Sequence, residues 1–250
     1  MHKLCSFYSI VSETTLISMV SGVFAPQMTL AYAEGNMEKF KDSTNMAIKI
    51  CGFLCSVPIL GFIAFGTPFF RLWLPVLTPD EIQLVQTLSI LTLLPTVFSV
   101  YIYPLYSVNN ITRKLKIPVI VSLIIGIINV ITVPIIVKFT DFGLLGIKVV
   151  SSVLLTARVL IFVPIYAARN INCKWTTFYK PLTRGMIASG IILVLFYIVK
   201  SVVEIDSWLM LIIVGGGCGV IGYVINYIFV LNRNEKAEVL KMVKKVLKRG

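Results

Sequence analysis

The chain has 250 residues, 57% of them hydrophobic and 14% charged, with a mean hydropathy of +0.91 and a net charge of +12. A soluble domain carries about 25% charged residues, so soluble enzymes and binding modules are excluded and a membrane protein is implied. The positive balance collects in loops between apolar stretches, which the positive-inside rule explains without a nucleic-acid partner.

Seven apolar stretches approach or exceed the roughly 18 to 20 residues that a spanning helix needs. They predict an all-α integral membrane protein, a bundle of seven transmembrane helices over residues 1–232. The first span, 7–32, is polar for its kind, with Ser9, Ser12, Glu13, Thr14, Thr15, Ser18 and Ser21, as suits a helix lining a cavity. Met1-His2-Lys3 before an apolar run imitates a signal peptide. Glu13 interrupts that run and no small-residue cleavage pattern follows, so a membrane helix is the better reading.

The loop AEGNMEKFKDSTN leads to a second span, 47–74, which holds Pro58, Gly61, Gly66 and Pro68 and ends in an interfacial anchor of Arg71 and Trp73. The acidic turn TPDE precedes a third span, 82–108, with kinks expected at Pro95 and Pro104 and with Tyr101, Tyr103 and Tyr106 at its far end. After the basic loop NNITRKLKIP comes a fourth span, 118–137. Its Ser122, Gly126 and Asn129 share one small, polar face suited to helix packing in lipid.

The turn KFTDFG opens the fifth span, 144–168, which carries Arg158 near its middle. Burying a guanidinium in hydrocarbon costs at least about 2.5 to 3.5 kcal/mol, so this side chain is expected to face protein or a wet cavity. The functional reading is a fixed cation that meets an anionic group of cargo, since arginine pairs bidentately with phosphate or carboxylate. The structural reading is an ion pair, or a hydrogen bond to carbonyls exposed near Pro164. Ser151, one heptad earlier, lies on nearly the same face.

RNINCKWTTFYKPLTR then supplies Arg169, Lys174, Lys180 and Arg184, with Trp175, Phe178 and Tyr179 fit for headgroup level. A sixth span, 185–203, the turn EIDS and a seventh span, 208–231, follow. In the seventh, Gly215, Gly219, Gly222 and Asn226 form a stripe that admits a neighbouring helix; GGGCG lacks the Lys-Ser or Lys-Thr of a phosphate loop. The tail, 233–250, is basic and amphipathic and is expected to lie on the inner leaflet.

Basic loops after spans three, five and seven are expected in the cytoplasm, and the turns holding Asp80, Glu81, Asp141, Glu204 and Asp206 outside. The C-terminus is then cytoplasmic and Met1 lies outside with nothing to carry it there. An odd number of preceding helices removes the difficulty, so this chain is expected to be the back part of a larger transporter. Glu13 has two readings, a coupling carboxylate or a structural one. Lys138 and Lys148 are expected at the outer mouth. Cys51 and Cys55 share a helix face without further ligands and read as packing residues, so no metal site is expected. No arrangement of catalytic residues and no cofactor-binding motif stands out.

The stretches VSGVFAPQMTLAYAEGNMEKFKDSTNMAIKI, FFRLWLP and NNITRKLKIPVIVSLIIGIINVITVPIIVKFTDFGLLGIKVVSS resemble the C-terminal half of the polysaccharide flippases. These are the O-antigen and capsule type within the superfamily that also holds MATE exporters and lipid II flippases. The resemblance makes the seven spans helices eight to fourteen of a 14-helix protein, a C-terminal lobe plus two extra helices. It implies translocation of an undecaprenyl-diphosphate-linked oligosaccharide by alternating access in a bacterial cell membrane. The implied partners are that lipid-linked oligosaccharide, membrane lipids, an absent N-terminal lobe and a polysaccharide polymerase. Arg158, Ser151, Asn129 and Glu13 are the substrate-binding candidates. A MATE-type exporter of small cations and an idle truncated remnant are the alternatives; the first would call for carboxylates, and Glu13 is the only one within an expected span.

Overall fold

A computed structural model describes residues 13–139, 143–231 and Lys236. Among the described residues the chain is a bundle of α-helices, six of which are long and apolar enough to cross a membrane. The helices are α1 (Glu13–Gly22), α2 (Ala25–Ala33), α3 (Met37–Trp73), α4 (Pro79–Ile111), α5 (Lys116–Phe139), α6 (Gly143–Ala157) continuing through a π-turn (Arg158–Phe162) into α7 (Val163–Asn170), α8 (Tyr179–Val202) and α9 (Trp208–Phe229). The chain is a multi-pass integral membrane protein.

The expected first span is broken. From Glu13 it runs as α1 and then α2, parted at Val23 and Phe24, with Pro26 in the first turn of α2. Proline is accommodated there because the first-turn N–H groups have no partner in the helix. Residues 1–12 lie outside the described part, as does the expected inner-leaflet tail apart from Lys236, whose Nζ lies 5.1 Å from the centre of the Tyr227 ring.

The charged stretch read as a loop before the second span is helical from Met37, ten residues earlier than expected. Gly35, at φ 70°, makes the turn, and the Asn36 side chain accepts from the Lys39 N–H at 2.9 Å to cap the helix. Phe40 and Thr44 in those first turns are buried. The TPDE turn is likewise a helix start. Thr78 Oγ1 accepts from the Glu81 N–H at 3.4 Å and the Glu81 carboxylate accepts from the Thr78 N–H at 2.8 Å, a reciprocal cap with Pro79 in the first turn.

α3 is the hub, packing against α4, α8, α9 and the α1–α2 pair, while α4 also receives the α6–α7 segment. α5 packs chiefly on α6 and turns Val119, Leu123, Val130 and Ile131 outward, as a lipid-facing helix would. At the junction of α3, α4 and α8 the Tyr101 ring is fully buried between Gly52 and Gly185. A Cβ on either glycine would fall 1.9 Å and 2.2 Å from that ring. The Tyr101 hydroxyl bonds the Gly185 carbonyl at 2.9 Å and Ser189 Oγ at 2.8 Å.

Proline inside a helix removes an N–H and orphans the carbonyl four residues earlier, and lipid offers no water to satisfy it. Neighbouring helices do so here. Tyr223 of α9 donates to Leu54, four before Pro58, at 3.1 Å; Ser152 of α6 donates to Leu91, four before Pro95; Tyr179 of α8 donates to Leu160, four before Pro164, at 2.7 Å. Tyr166 of α7 also donates to the Lys114 carbonyl, just ahead of α5, at 3.1 Å, although Pro118 in the first turn of α5 breaks no ladder. The breaks at Pro58, Pro95 and Pro164 thereby become bonds between helices. α3 and α4 stay continuous through Pro58, Pro68, Pro95 and Pro104.

Candidate functional site

Arg158 opens the π-turn, and its geometry follows from Pro164. Without an N–H on that proline the ladder shifts register, and the Val163 N–H reaches back five residues to the Arg158 carbonyl. The segment Gly143–Asn170 has 28 residues, which puts Arg158 about 18 Å along the axis from one end and about 22 Å from the other. The guanidinium thus stems from the middle of a spanning segment.

The side chain is half-buried, and its Nε is enclosed without a hydrogen-bond partner among the described residues. The carbonyl freed by Pro164 accepts from the Tyr179 hydroxyl at 2.7 Å. The π-turn packs on α4, whose Tyr106 ring meets Tyr103 edge-on at 5.8 Å. A guanidinium can take a phosphate or carboxylate oxygen, and phenols can take a hydroxyl.

Ser151 and Asn129 come together, the Ser151 hydroxyl donating to Asn129 Oδ1 at 3.0 Å and to its own Ile147 carbonyl at 3.0 Å. They lie about two turns, or roughly 10 Å, from Arg158 along the helix. Glu13 is the first described residue of α1, and its side chain is outside the described part. Of the other hydroxyls expected to line a cavity, Ser21 is buried with its Oγ unbonded among the described residues.

Two cations went unread in the sequence. Lys49 is 8% exposed and engaged with a partner. Its place in AIKICGF looks like the start of a span, but with α3 beginning at Met37 it lies about 18 Å into the helix. Lys200, near the far end of α8, bonds Thr67 Oγ1 at 3.4 Å and lies 5.6 Å from the Tyr197 ring centre. Tyr106 and Tyr179 were visible only as apolar-belt aromatics, since their partners lie far away in sequence.

The glycine stripe of α9 divides. Gly222 packs on Val57 and Phe196, and Asn226 bonds the Phe53 carbonyl at 3.3 Å and Ser56 at 3.0 Å. Gly215 and Gly219 meet nothing within 4 Å and instead line an apolar groove of about 350 Å³ with Phe62, Phe65 and Phe69. Only half of the stripe does the packing expected of it. Cys51 and Cys218 are buried thiols within the bundle.

A relative turns up among known proteins. The chain is similar to an uncharacterized membrane protein, EpsK, of Bacillus subtilis (strain 168), with 27% identity over 231 residues. The match takes in 92% of this chain and 45% of that protein, so the chain spans less than half the length of its relative. No family model and no solved structure matches it.

Proposed function

We propose that this chain is one helical bundle of a transporter that moves a lipid-linked oligosaccharide diphosphate across a bacterial cell membrane, with its basic loops and C-terminus in the cytoplasm. The observation that carries the reading is Arg158, a permanent cation rooted midway through a span with its Nε enclosed and unbonded among the described residues. A diphosphate crossing hydrocarbon needs such a counter-charge. The phenols of Tyr103 and Tyr106 and the Ser151–Asn129 pair offer further polar contacts for sugar hydroxyls. The greater length of the relative agrees with a second bundle facing this one across the path, as alternating access requires.

Interior cations favour anionic cargo over the cationic drugs of MATE-type exporters, which need carboxylates. Lys49 and Arg158 are both of that sign. Chromosomal Arg158→Ala in the organism that carries the chain tests the reading. Surface glycan disappears and lipid-linked oligosaccharide accumulates while the amount of protein in the membrane is unchanged; Arg158→Lys keeps part of the display. Normal display in Arg158→Ala overturns the cargo contact.

A further inference from the structure

Two loops at one end of the bundle are bolted together. Lys114 Nζ donates to the Asn170 carbonyl at 3.1 Å, Asn170 Nδ2 donates to Asn109 Oδ1 at 2.8 Å, and Tyr166 donates to the Lys114 carbonyl. Both loops turn through left-handed residues, Arg113 at φ 55° and Asn172 at φ 54°. Asparagine visits that conformation readily, whereas arginine holds it only where the surroundings fix it. The corner is therefore a built feature rather than a loose connection.

Six exposed cations gather on it: Arg113, Lys114, Lys116, Arg169, Lys174 and Lys180. Residues 112–118 and 166–183 contain no carboxylate. The α2–α3 corner shares a hydrophobic cluster with these loops, Tyr32 and Phe40 packing with Ile111, Ile171 and Phe178; its Glu34 is paired with Lys39 at 3.2 Å, and its Glu38 and Asp42 are exposed. The charge is also interleaved with exposed apolar side chains, Leu115, Ile117 and Trp175, the last 60% exposed. Leu115 and Ile117 run directly into the outward face of α5 at Val119, Ile120 and Leu123.

A soluble polyanion would match the cations and leave that apolar surface in water. A membrane lipid matches both at once, its phosphate on the cations and its glycerol and upper acyl carbons against Leu115, Ile117 and Trp175. We propose that the junction of the α4–α5 and α7–α8 loops is a binding site for the headgroup phosphate of an anionic membrane phospholipid.

The test uses the full chain in bilayer discs of equal parts phosphatidylglycerol and phosphatidylcholine, counting each lipid retained after extraction. Wild type retains phosphatidylglycerol preferentially. Combined Arg113→Asn, Lys116→Gln and Lys174→Gln lowers that preference about fivefold for each cation removed, asparagine being chosen because it tolerates positive φ. Lys148→Gln, on α6 away from this corner, keeps it. Should the triple variant fold poorly, as read by its thermal midpoint in pure phosphatidylcholine, Trp175→Ser replaces it and lowers retention of phosphatidylglycerol with no change in charge. Unchanged preference in these variants, or equal loss in Lys148→Gln, overturns the site. So does inorganic phosphate that raises the thermal midpoint in phosphatidylcholine as far as phosphatidylglycerol does, because the pocket would then serve a free anion.

Discussion

The Tyr179 hydroxyl donates to the Leu160 carbonyl at 2.7 Å, and Leu160 is the residue whose helix bond Pro164 removes. One side chain of α8 thus closes the gap in the ladder beside Arg158 and ties two spans together. Lost hydroxyl and lost proline should be energetically coupled.

Tyr179→Phe is expected to destabilise the bundle by about 1 kcal/mol, the size of an interhelical hydrogen bond in a membrane protein. In a Pro164→Ala background the backbone N–H restored by the alanine serves Leu160 itself, so the same Tyr179→Phe change costs little. Reversible unfolding in mixed micelles measures both. Equal costs in the two backgrounds would mean that the hydroxyl does not compensate the proline.

Gly52→Ala and Gly185→Ala each press a methyl into the Tyr101 ring, at 1.9 Å and 2.2 Å. The ring is enclosed and cannot rotate away, so each change is expected to cost about 2 kcal/mol or more, within the usual range for overpacking. Tyr101→Ala, itself destabilising, should make Gly52→Ala nearly neutral on top of it. Thermal midpoints of the four single and double variants decide this, and strictly additive losses would remove the ring as the cause.

Apolar length placed four of the spans, 82–108, 118–137, 144–168 and 208–231, within three residues of the helix ends. What the sequence hid is physically of one kind. Met37–Asn45 is charged on its outer side but buries Phe40 and Thr44, and tertiary packing rather than composition makes it helix. Pro58, Pro95 and Pro164 each suggest a break. The hydroxyls that repair them, on Tyr223, Ser152 and Tyr179, belong to other helices. The Ser151–Asn129 contact was legible as two polar faces and not as a pair, since nothing local sets the register of α5 on α6.

Along α9, alanine should discriminate between the two halves of the glycine stripe. At Gly219 a Cβ meets nothing within 4 Å, whereas at Gly222 it meets Val57 at 3.1 Å and Phe196 at 3.2 Å. Alanine is the better helix former by about 0.8 to 1 kcal/mol, so Gly219→Ala is expected to be neutral or stabilising and Gly222→Ala to lose stability. A thermal shift of the same sign in both would mean that the groove lined by Gly215 and Gly219 is closed by contacts in the membrane.

Arg158→Met separates a residue kept for the fold from one kept for cargo. Its Nε is enclosed without a partner among the described residues, and the nearby Leu160 carbonyl is already served by Tyr179. A cation in a span whose Nε is enclosed and unbonded is a cost to the folded bundle, and methionine fills a similar length without it. The expected result is a higher thermal midpoint in micelles, by about 1 to 2 kcal/mol in stability, together with loss of glycan transfer in cells. If the guanidinium instead supports the π-turn, methionine lowers the midpoint and transfer falls only as far as folded protein does. The two outcomes have opposite signs in a single melting experiment, so the role of Arg158 is decided before any substrate is in hand.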